Sequence, residues 1–305
     1  MDNAIEIRDL TKTYGTSRGL AGLTLDVRAG EVFGYLGPNG AGKSTTIRLL
    51  LDLIRPTSGA ATVLGLDPLR DGVELRRRVG YLAGDFVVDG RQKVRECLHY
   101  LAALRGGVPH ARIDDLAERL GLDQHARIKT LSKGNRQKVG LVQAFMHHPE
   151  LLILDEPSSG LDPLLQQTFL DLVLEAAGNG QTVFMSSHIM DEVEAVADRI
   201  AILRAGRLVA LDTVADLRAS AVRRIEIEFA APVSLGQFRG LPGIADPILD
   251  DTGKILRARV IGAPDAVIKA AAQHTVTSLR TDEAHLDEIF HAQYAGDDTP
   301  AISVA

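Results

Sequence analysis

Short apolar runs alternate with helical stripes along this chain, the pattern of a sheet flanked by helices. Residues 4–8 and 23–27 read as strands, and Glu31 to Leu36 as a third that ends at the glycine-rich run Gly37 to Gly42. A helix is predicted from Lys43, because Ile47, Leu50, Leu51 and Ile54 recur at helical spacing before Pro56-Thr57-Ser58-Gly59 supplies turn chemistry. Between about 88 and 130 the spacing is helical again: Val94, Leu98, Leu101 and Leu104 form one stripe, and Ile113, Leu116 and Leu120 another. This predicts a helical subdomain, continuing to about 148. Leu151 to Leu154 and Thr182 to Met185 are nearly continuous apolar runs around a helix with Phe169, Leu172 and Val173, as buried parallel strands require. Ile200 to Leu203 and Leu208 to Leu211 read as a β-hairpin across Arg204-Ala205-Gly206-Arg207. The expected fold class is α/β.

The period then changes, which places a domain boundary near 218–222, between a first domain over 1–220 and an α+β unit over 221–295. Ile225, Ile227 and Phe229 alternate at the start of that unit. A strand at 254–261, a helix from Pro264 and a final helix from Asp282 follow, and residues 296–305, with Gly296, Asp297, Asp298 and Pro300, are expected to be a mobile tail.

The 305 residues suffice for about two domains, and 45% apolar with 24% charged residues is ordinary globular usage. Net charge is −6, which argues against electrostatic capture of nucleic acid or anionic lipid as the main task. Cys97 is the only cysteine, so no intrachain disulfide is possible and a reducing compartment, the cytosol, is expected. Residues 1–20 contain no apolar h-region, and runs such as Leu49-Leu50-Leu51 fall far short of the roughly 20 residues that span a bilayer. Any membrane role therefore requires another chain.

Candidate chemistry begins at Gly37-Pro38-Asn39-Gly40-Ala41-Gly42-Lys43-Ser44, which fits G-x-x-x-x-G-K-[ST] between a strand and a helix. Glycines there let successive N–H groups converge on phosphate oxygens, the helix N-terminus adds a favourable dipole, Lys43 neutralises charge and Ser44 can ligate Mg²⁺. The bland alternative is a flexible glycine turn. Leu151 to Leu154 would drive a strand into the core and deliver Asp155 and Glu156 at its end, where α/β sheets place ligands. Asp155 suits a Mg²⁺ shell and Glu156 an attacking water; a solvated pair of surface acids is the alternative.

Together with these, LSKGN at 131–135, SSGLD at 158–162 and His188 after a strand resemble the nucleotide-binding subunit of an ATP-binding cassette transporter, over roughly residues 4–215. The resemblance implies a P-loop NTPase cassette with a β subdomain and a helical subdomain. It also implies a head-to-tail pair of cassettes with two ATP molecules sandwiched between them, and Mg²⁺ as the metal. By position, Tyr14 would stack on adenine, while Lys43, Ser44 and Thr45 would hold phosphates and Mg²⁺. Ser132 and Gly134 would reach the γ-phosphate across the dimer, Asp162 would couple the two sites, and His188 would contact the γ-phosphate and help position Glu156 and the water. For Tyr14, simple packing is the competing reading.

Two departures stand out. Lys133 and Asn135 occupy positions where the family commonly has glycine and glutamine in LSGGQ, a variant similar to that of drug-resistance exporters. Gly84 stands where a glutamine usually follows the strand VGYL, so Asp85 is the candidate to reach the metal shell, with a plain surface acid as the alternative. Arg76-Arg77-Arg78, beside Asp71 and Glu74, reads as a solvated helix face, and His147-His148 lack further ligands at metal spacing. Cys97 on an apolar helix face reads as a small buried hydrophobe. Residues 221–296 carry no catalytic constellation and resemble the accessory domain of exporter ATPases, including the ending Leu286-Asp287-Glu288-Ile289-Phe290.

The expectation is an ATP-hydrolysing subunit that drives export of a drug, antibiotic or lipid-like compound by a separate transmembrane permease, at the cytoplasmic face of the cell membrane and as a homodimer. A surface at roughly 84–110 is the expected permease contact. A soluble cassette ATPase acting on ribosomes or nucleic acid is the alternative, but a single cassette without a coiled-coil insertion lacks the marks of that class.

Overall fold

The computed structural model describes residues 2–282 except 16 and 221. The chain divides into two compact units, with the change at Leu211/Asp212.

The first unit opens with β1 (Asn3–Tyr14) and β2 (Ser17–Arg28), which with β4 (Ser58–Val63) make a three-stranded antiparallel sheet of order β2-β1-β4. Both opening strands run well past the apolar cores at 4–8 and 23–27. Between β2 and β4 in sequence lie β3 (Val32–Leu36) and α1 (Lys43–Leu50). After α2 (Gly72–Arg78) come β5 (Val79–Leu82) and three helices, α3 (Val94–Leu104), α4 (His110–Arg119) and α5 (Lys133–Phe145). Then follow β6 (Leu151–Asp155), α6 (Pro163–Gly178), β7 (Thr182–Ser187), α7 (Met190–Glu194), β8 (Arg199–Arg204) and β9 (Arg207–Thr213).

These strands build a six-stranded sheet of order β5-β6-β7-β3-β8-β9, parallel from β5 to β8. All residues of β3, β6 and β7 are buried, which is why they read as continuous apolar runs. Phe33 and Phe184 are direct register neighbours, with rings stacked at 5.8 Å. Tyr35 reaches from β3 to α1, its hydroxyl 2.9 Å from Thr46 Oγ1, and so fixes the helix against the strand that precedes it. Each such buried aromatic contributes about 1.5–3 kcal/mol by removal from water. Helix α1 stops at Leu50, earlier than the stripe to Ile54 suggested, because Asp52 turns left-handed at φ 53°. Leu51 and Ile54 still pack on the same core.

The hairpin of β8 and β9 turns through Ala205 and Gly206, both left-handed, as a two-residue hairpin loop requires. Gly206 is bonded on both sides: its N–H donates to Ala41 O at 2.9 Å and its carbonyl accepts from Ala21 N at 2.9 Å.

The second unit contains α8 (Val214–Ser220), β10 (Val222–Phe229), β11 (Ile244–Leu249), β12 (Ile255–Ile261), α9 (Asp265–Ala271) and β13 (Val276–Asp282). Its sheet is antiparallel, of order β11-β12-β10-β13. Ile225, Ile227, Leu256 and Ala258 face a core shared with Phe238 and Val267. Two strands of this unit escaped the sequence pattern. β11 is an edge strand with Pro247 and a register shift between Ala245 and Ile248, so its alternation is broken. The helix expected from Asp282 is corrected at its start: pairing of β13 with central β10 holds the chain extended through Asp282. The rest of that segment, the ending 286–290 and the tail lie outside the described residues.

A half-buried histidine links the helical subdomain to the large sheet. Arg105, at the end of α3, donates from Nη1 to His147 Nε2 at 2.7 Å, so His147 must be neutral with its proton on Nδ1. Burial, and then the Arg105 charge, pull its pKa from 6.5 down to about 4. The unfolded chain thus takes up a proton near pH 6.5 that the folded chain refuses until about pH 4. Stability is full above pH 6.5 and falls as the pH drops through that window, by at most about 1.4 kcal/mol per pH unit. His147→Gln, which keeps an acceptor for Arg105, should flatten that fall between pH 6.5 and 5 in urea denaturation; parallel curves for the two proteins would remove the histidine from the account.

Candidate functional site

Strand order gathers the site. β6, β7 and β3 are adjacent and parallel, so their C-terminal ends lie side by side: Leu36 is level with Ser187, and Asp155 with Ser186. The glycine loop, the Asp155-Glu156 pair and His188 leave from these three ends, at the rim where parallel sheets hold ligands.

The loop from Gly37 to Gly42 is tight. Gly40 and Gly42 are left-handed, and Gly42 is the N-cap of α1. A Cβ on Gly37 would lie 2.7 Å from Leu203 O, and one on Gly42 2.7 Å from Gly19 O, so close backbone approach as well as conformation demands glycine at both places. Ala41 N donates to Pro38 O at 3.1 Å. Lys43 is 5% exposed, and its ammonium donates to Gly37 O at 2.5 Å and Pro38 O at 3.3 Å. A cavity of about 170 Å³ is lined by Pro38, Asn39, Gly40, Gly42, Lys43, Ser44 and Thr45 from the loop, by Gly19 and by Glu156. Donor N–H groups, a helix N-terminus and a buried cation around so small a volume suit phosphate groups. A larger cavity of about 530 Å³ lies on the sheet of the second unit, where Arg257 and Arg259 are exposed and ion-paired to Glu226 and Asp246; it has no glycine cradle and no nucleophile.

Glu156 stands at the mouth of the small cavity, held from two sides. Its Oε1 lies 3.0 Å from Lys43 Nζ, a charge contact without hydrogen-bond geometry, and its Oε2 lies 2.7 Å from His188 Nδ1. Its backbone is left-handed at φ 50°, a costly conformation for glutamate. The N–H of Glu156 donates to the carbonyl and the hydroxyl of Ser186, at 3.2 Å each, which fastens the turn. Asp155 is buried, and its Oδ1 accepts from Ser186 Oγ at 2.7 Å.

Tyr14 is half exposed beside the cavity: a Cβ on Gly19 would lie 2.8 Å from its ring, and Lys12 Nζ sits 5.3 Å from the ring centroid. Ser132 is the N-cap of α5 and accepts from Asn135 N at 3.2 Å. Gly134 lies against Gly160, whose carbonyl would be 2.3 Å from an added Cβ. Asp162 is the N-cap of α6 and accepts from Leu165 N at 3.0 Å. None of Ser132, Gly134 and Asp162 lines the cavity at Lys43. Asp85 does not line it either. It borders two other cavities, one with Lys129 and Arg136 and one with Leu51 and Arg105. Gly84 is the neighbour of Asp155, with room for a Cβ 3.5 Å from its Oδ2.

Sequence reasoning missed two supporting groups, Ser186 and Gln137, and the contact that Lys133 makes. Ser186 holds both acids, as above. Gln137, 2% exposed, donates to Glu156 O at 3.2 Å and Pro157 O at 3.1 Å, and Lys133 Nζ lies 3.1 Å from Ser159 Oγ. The available signal was polarity inside otherwise apolar elements, a serine in a buried strand and a glutamine on the buried face of α5.

A family model described as ABC transporter matches residues 20–159. The chain is 38% identical over 223 residues to YbhF, a probable multidrug ABC transporter ATP-binding protein of Escherichia coli, which covers 72% of this chain and 38% of that protein. It spans well under half the length of that relative. It is 34% identical over 311 residues to the daunorubicin resistance ATP-binding protein DrrA3 of Streptomyces coeruleorubidus, with 97% of each chain covered. It is 39% identical over 212 residues to the bacitracin transport ATP-binding protein BcrA of Bacillus licheniformis, covering 68% of this chain and 69% of that one. A solved ATP-binding subunit of an ABC transporter superposes with a TM-score of 0.65 at 33% identity, over 70% of this chain and 92% of that chain. A bacterial Atm1-family ABC exporter with ATP bound superposes with a TM-score of 0.62 at 27% identity, over 70% of this chain and 39% of that one. The first unit is therefore a P-loop NTPase core of RecA-like form with an added helical subdomain, and the chain belongs to the ABC transporter family, among the ATP-binding proteins related to YbhF, DrrA and BcrA.

Proposed function

We propose that this chain binds and hydrolyses ATP as one of a pair of identical subunits and that the pair drives a separate permease from the cytoplasmic face of a membrane. The observation that carries the reading is the Glu156 carboxylate, held between Lys43 and His188 at the mouth of a phosphate-sized cradle. In-line attack on a γ-phosphate needs positioning and charge neutralisation more than covalent chemistry. Lys43 and the loop N–H groups would hold the phosphates, and Glu156 would orient a water and take its proton. His188 would keep the carboxylate turned toward that water, and Tyr14 would offer a ring face to the base. Ser44 and Asp155 are hard oxygen donors and fit Mg²⁺, which takes few protein ligands and shares phosphate oxygens. When bound there, the ion supplies charge neutralisation at the β- and γ-phosphates.

Ser132 and Gly134 sit outside this cavity within one chain, yet Ser132 opens the N-terminus of α5, where a phosphate is favourably placed. A second copy presenting that helix end to Lys43's cradle would complete the site, with Asp162 at the head of α6 near the junction. Asp85 remains the candidate for a further metal contact in that assembly. Among the described residues no helix is long and apolar enough to cross a membrane. The names of DrrA3 and BcrA, daunorubicin resistance and bacitracin transport, support export of a drug or antibiotic, and the surface at 84–110 is the proposed permease contact.

Glu156→Gln should leave ATP affinity intact and lower steady-state hydrolysis by about 10²–10⁴-fold, the usual worth of a general base; phosphate release at the parental rate would exclude this role. Lys43→Ala should weaken nucleotide binding itself by about ten- to a hundredfold, since it deletes a charge-assisted contact worth about 1.5–3 kcal/mol. Calorimetric titration with ATP checks it, and an unaltered Kd would take the lysine out of the cradle. Gly134→Ala meets the Gly160 carbonyl and should abolish hydrolysis while the isolated subunit still binds ATP; full turnover in that variant would contradict the trans arrangement.

A further inference from the structure

Behind Glu156 and His188 the first unit buries a further carboxylate that does not line the cradle. Glu192, on α7, is 7% exposed, and its Oε2 accepts from Ser158 Oγ at 2.7 Å and from Ser187 Oγ at 3.2 Å. Both serines are buried as well. The other oxygen, Oε1, is buried with no hydrogen-bond partner, and no lysine or arginine pairs with this acid among the described residues. A carboxylate so placed is costly, because two neutral hydroxyls alone offset its removal from water. Packing does not call for it: an apolar side chain of similar volume would fill the place without that cost. What the carboxylate supplies is a bridge between two turns.

Those turns are the ones that carry the candidate chemistry. Ser158 follows Glu156 by two residues, and Ser187 directly precedes His188. Ser187 Oγ also accepts from Ile189 N at 3.0 Å, so the residues on either side of His188 are tied to one hydroxyl. The same two turns meet again at the solvent side, where His188 Nδ1 lies 2.7 Å from Glu156 Oε2. A contact open to water is weak by itself. The bonds through Glu192 close the circuit from the buried side, and they set how far His188 stands from the acid. The depth of α7 is dictated by β3: a Cβ on Gly34 would lie 2.0 Å from Val193 Cγ1, so only glycine there lets the helix rest on the sheet and bring Glu192 to the end of β7.

We propose that Glu192 is a positioning residue for hydrolysis, whose carboxylate clamps the His188 turn to the Glu156 turn and so sets the histidine against the acid that orients the water. This rests on the roles given above to Glu156 and His188 and adds the group that fixes their separation. The test measures steady-state ATP hydrolysis and ATP affinity of the full chain in Glu192→Ala, Glu192→Gln, His188→Ala and the double variant Glu192→Ala/His188→Ala. Glu192→Ala should lower kcat about a hundredfold, as a misplacement of about 1 Å does, and should keep the parental Kd for ATP, which reports a folded cassette. Glu192→Gln keeps an oxygen that both hydroxyls can reach and should recover most of the rate. On the His188→Ala background Glu192→Ala should cost less than about twofold more, because the group it positions is gone; an acid that merely stabilises the fold would lower the rate by the same factor in either background. Parental kcat in Glu192→Ala, equal losses in the alanine and glutamine variants, or additive losses with His188→Ala would each overturn this inference alone. Where Glu192→Ala does not fold, Ser187→Ala removes one arm of the bridge and should lower kcat at unchanged Kd, and parental kcat there would overturn it likewise. Parental kcat in His188→Ala would instead overturn the reading of the site on which the inference rests.

Discussion

Parallel pairing of β6, β7 and β3 is the constraint on which the site depends. The groups of the candidate site come from three segments far apart in sequence, after Leu36, at Asp155-Glu156 and at His188, and no local propensity can bring them together. Register does so: Asp155 opposite Ser186 and Leu36 opposite Ser187 set the three exits level. A slip of one residue would turn every side chain of a strand to the opposite face. Both faces of β3, β6 and β7 are buried, so it is close packing that opposes the slip: side chains exchanged between the two faces would no longer fit their neighbours. The core thus fixes the position of the acids as well as supplying stability.

At the rim the electrostatics are mutually dependent. Lys43 is nearly buried, and a buried cation is costly unless polar groups surround it. Two loop carbonyls and the Glu156 carboxylate meet that need, while Glu156 is in turn shared with His188. The left-handed backbone at Glu156 is tolerated because both groups of Ser186 accept its N–H and Gln137 caps its carbonyl. Strain at the acid is therefore held by neighbours on β7 and α5.

Much of this was legible in the sequence, for identifiable reasons. The glycine loop, the apolar run before Asp155 and the hairpin at 204–207 are local signals, each dictated by a backbone requirement that few residues satisfy. What escaped is what depends on partners. β11 was hidden by Pro247 and a bulge, which only an edge position permits. β13 drew no reading of its own, and its pairing with β10 keeps the chain extended through Asp282, where a helix was expected to begin. Ser186 and Gln137 carry no motif of their own and become visible only when β7 meets β6 and α5 meets the turn after Glu156. Asp85, read from the sequence as a metal candidate or a plain surface acid, borders cavities away from the cradle within the single chain.

Helix α5 connects the two halves of the functional reading. Its N-terminus carries Ser132 as N-cap and packs Gly134 on Gly160, and one turn later Gln137 holds the carbonyls of Glu156 and Pro157. Six residues on, about 9 Å along the axis, Gln143 donates to the carbonyl of Tyr81 and borders the cavity that contains Arg105. Between these points Gly140 allows close contact with Leu82 and Phe86, since a Cβ there would lie 2.4 Å from Leu82 Cδ1. A continuous helix bonded at both ends is stiff over two turns and cannot shift at the acid without straining its bonds at the cavity wall. Such an element is the physical requirement for coupling two sites, a rigid body that both of them grip.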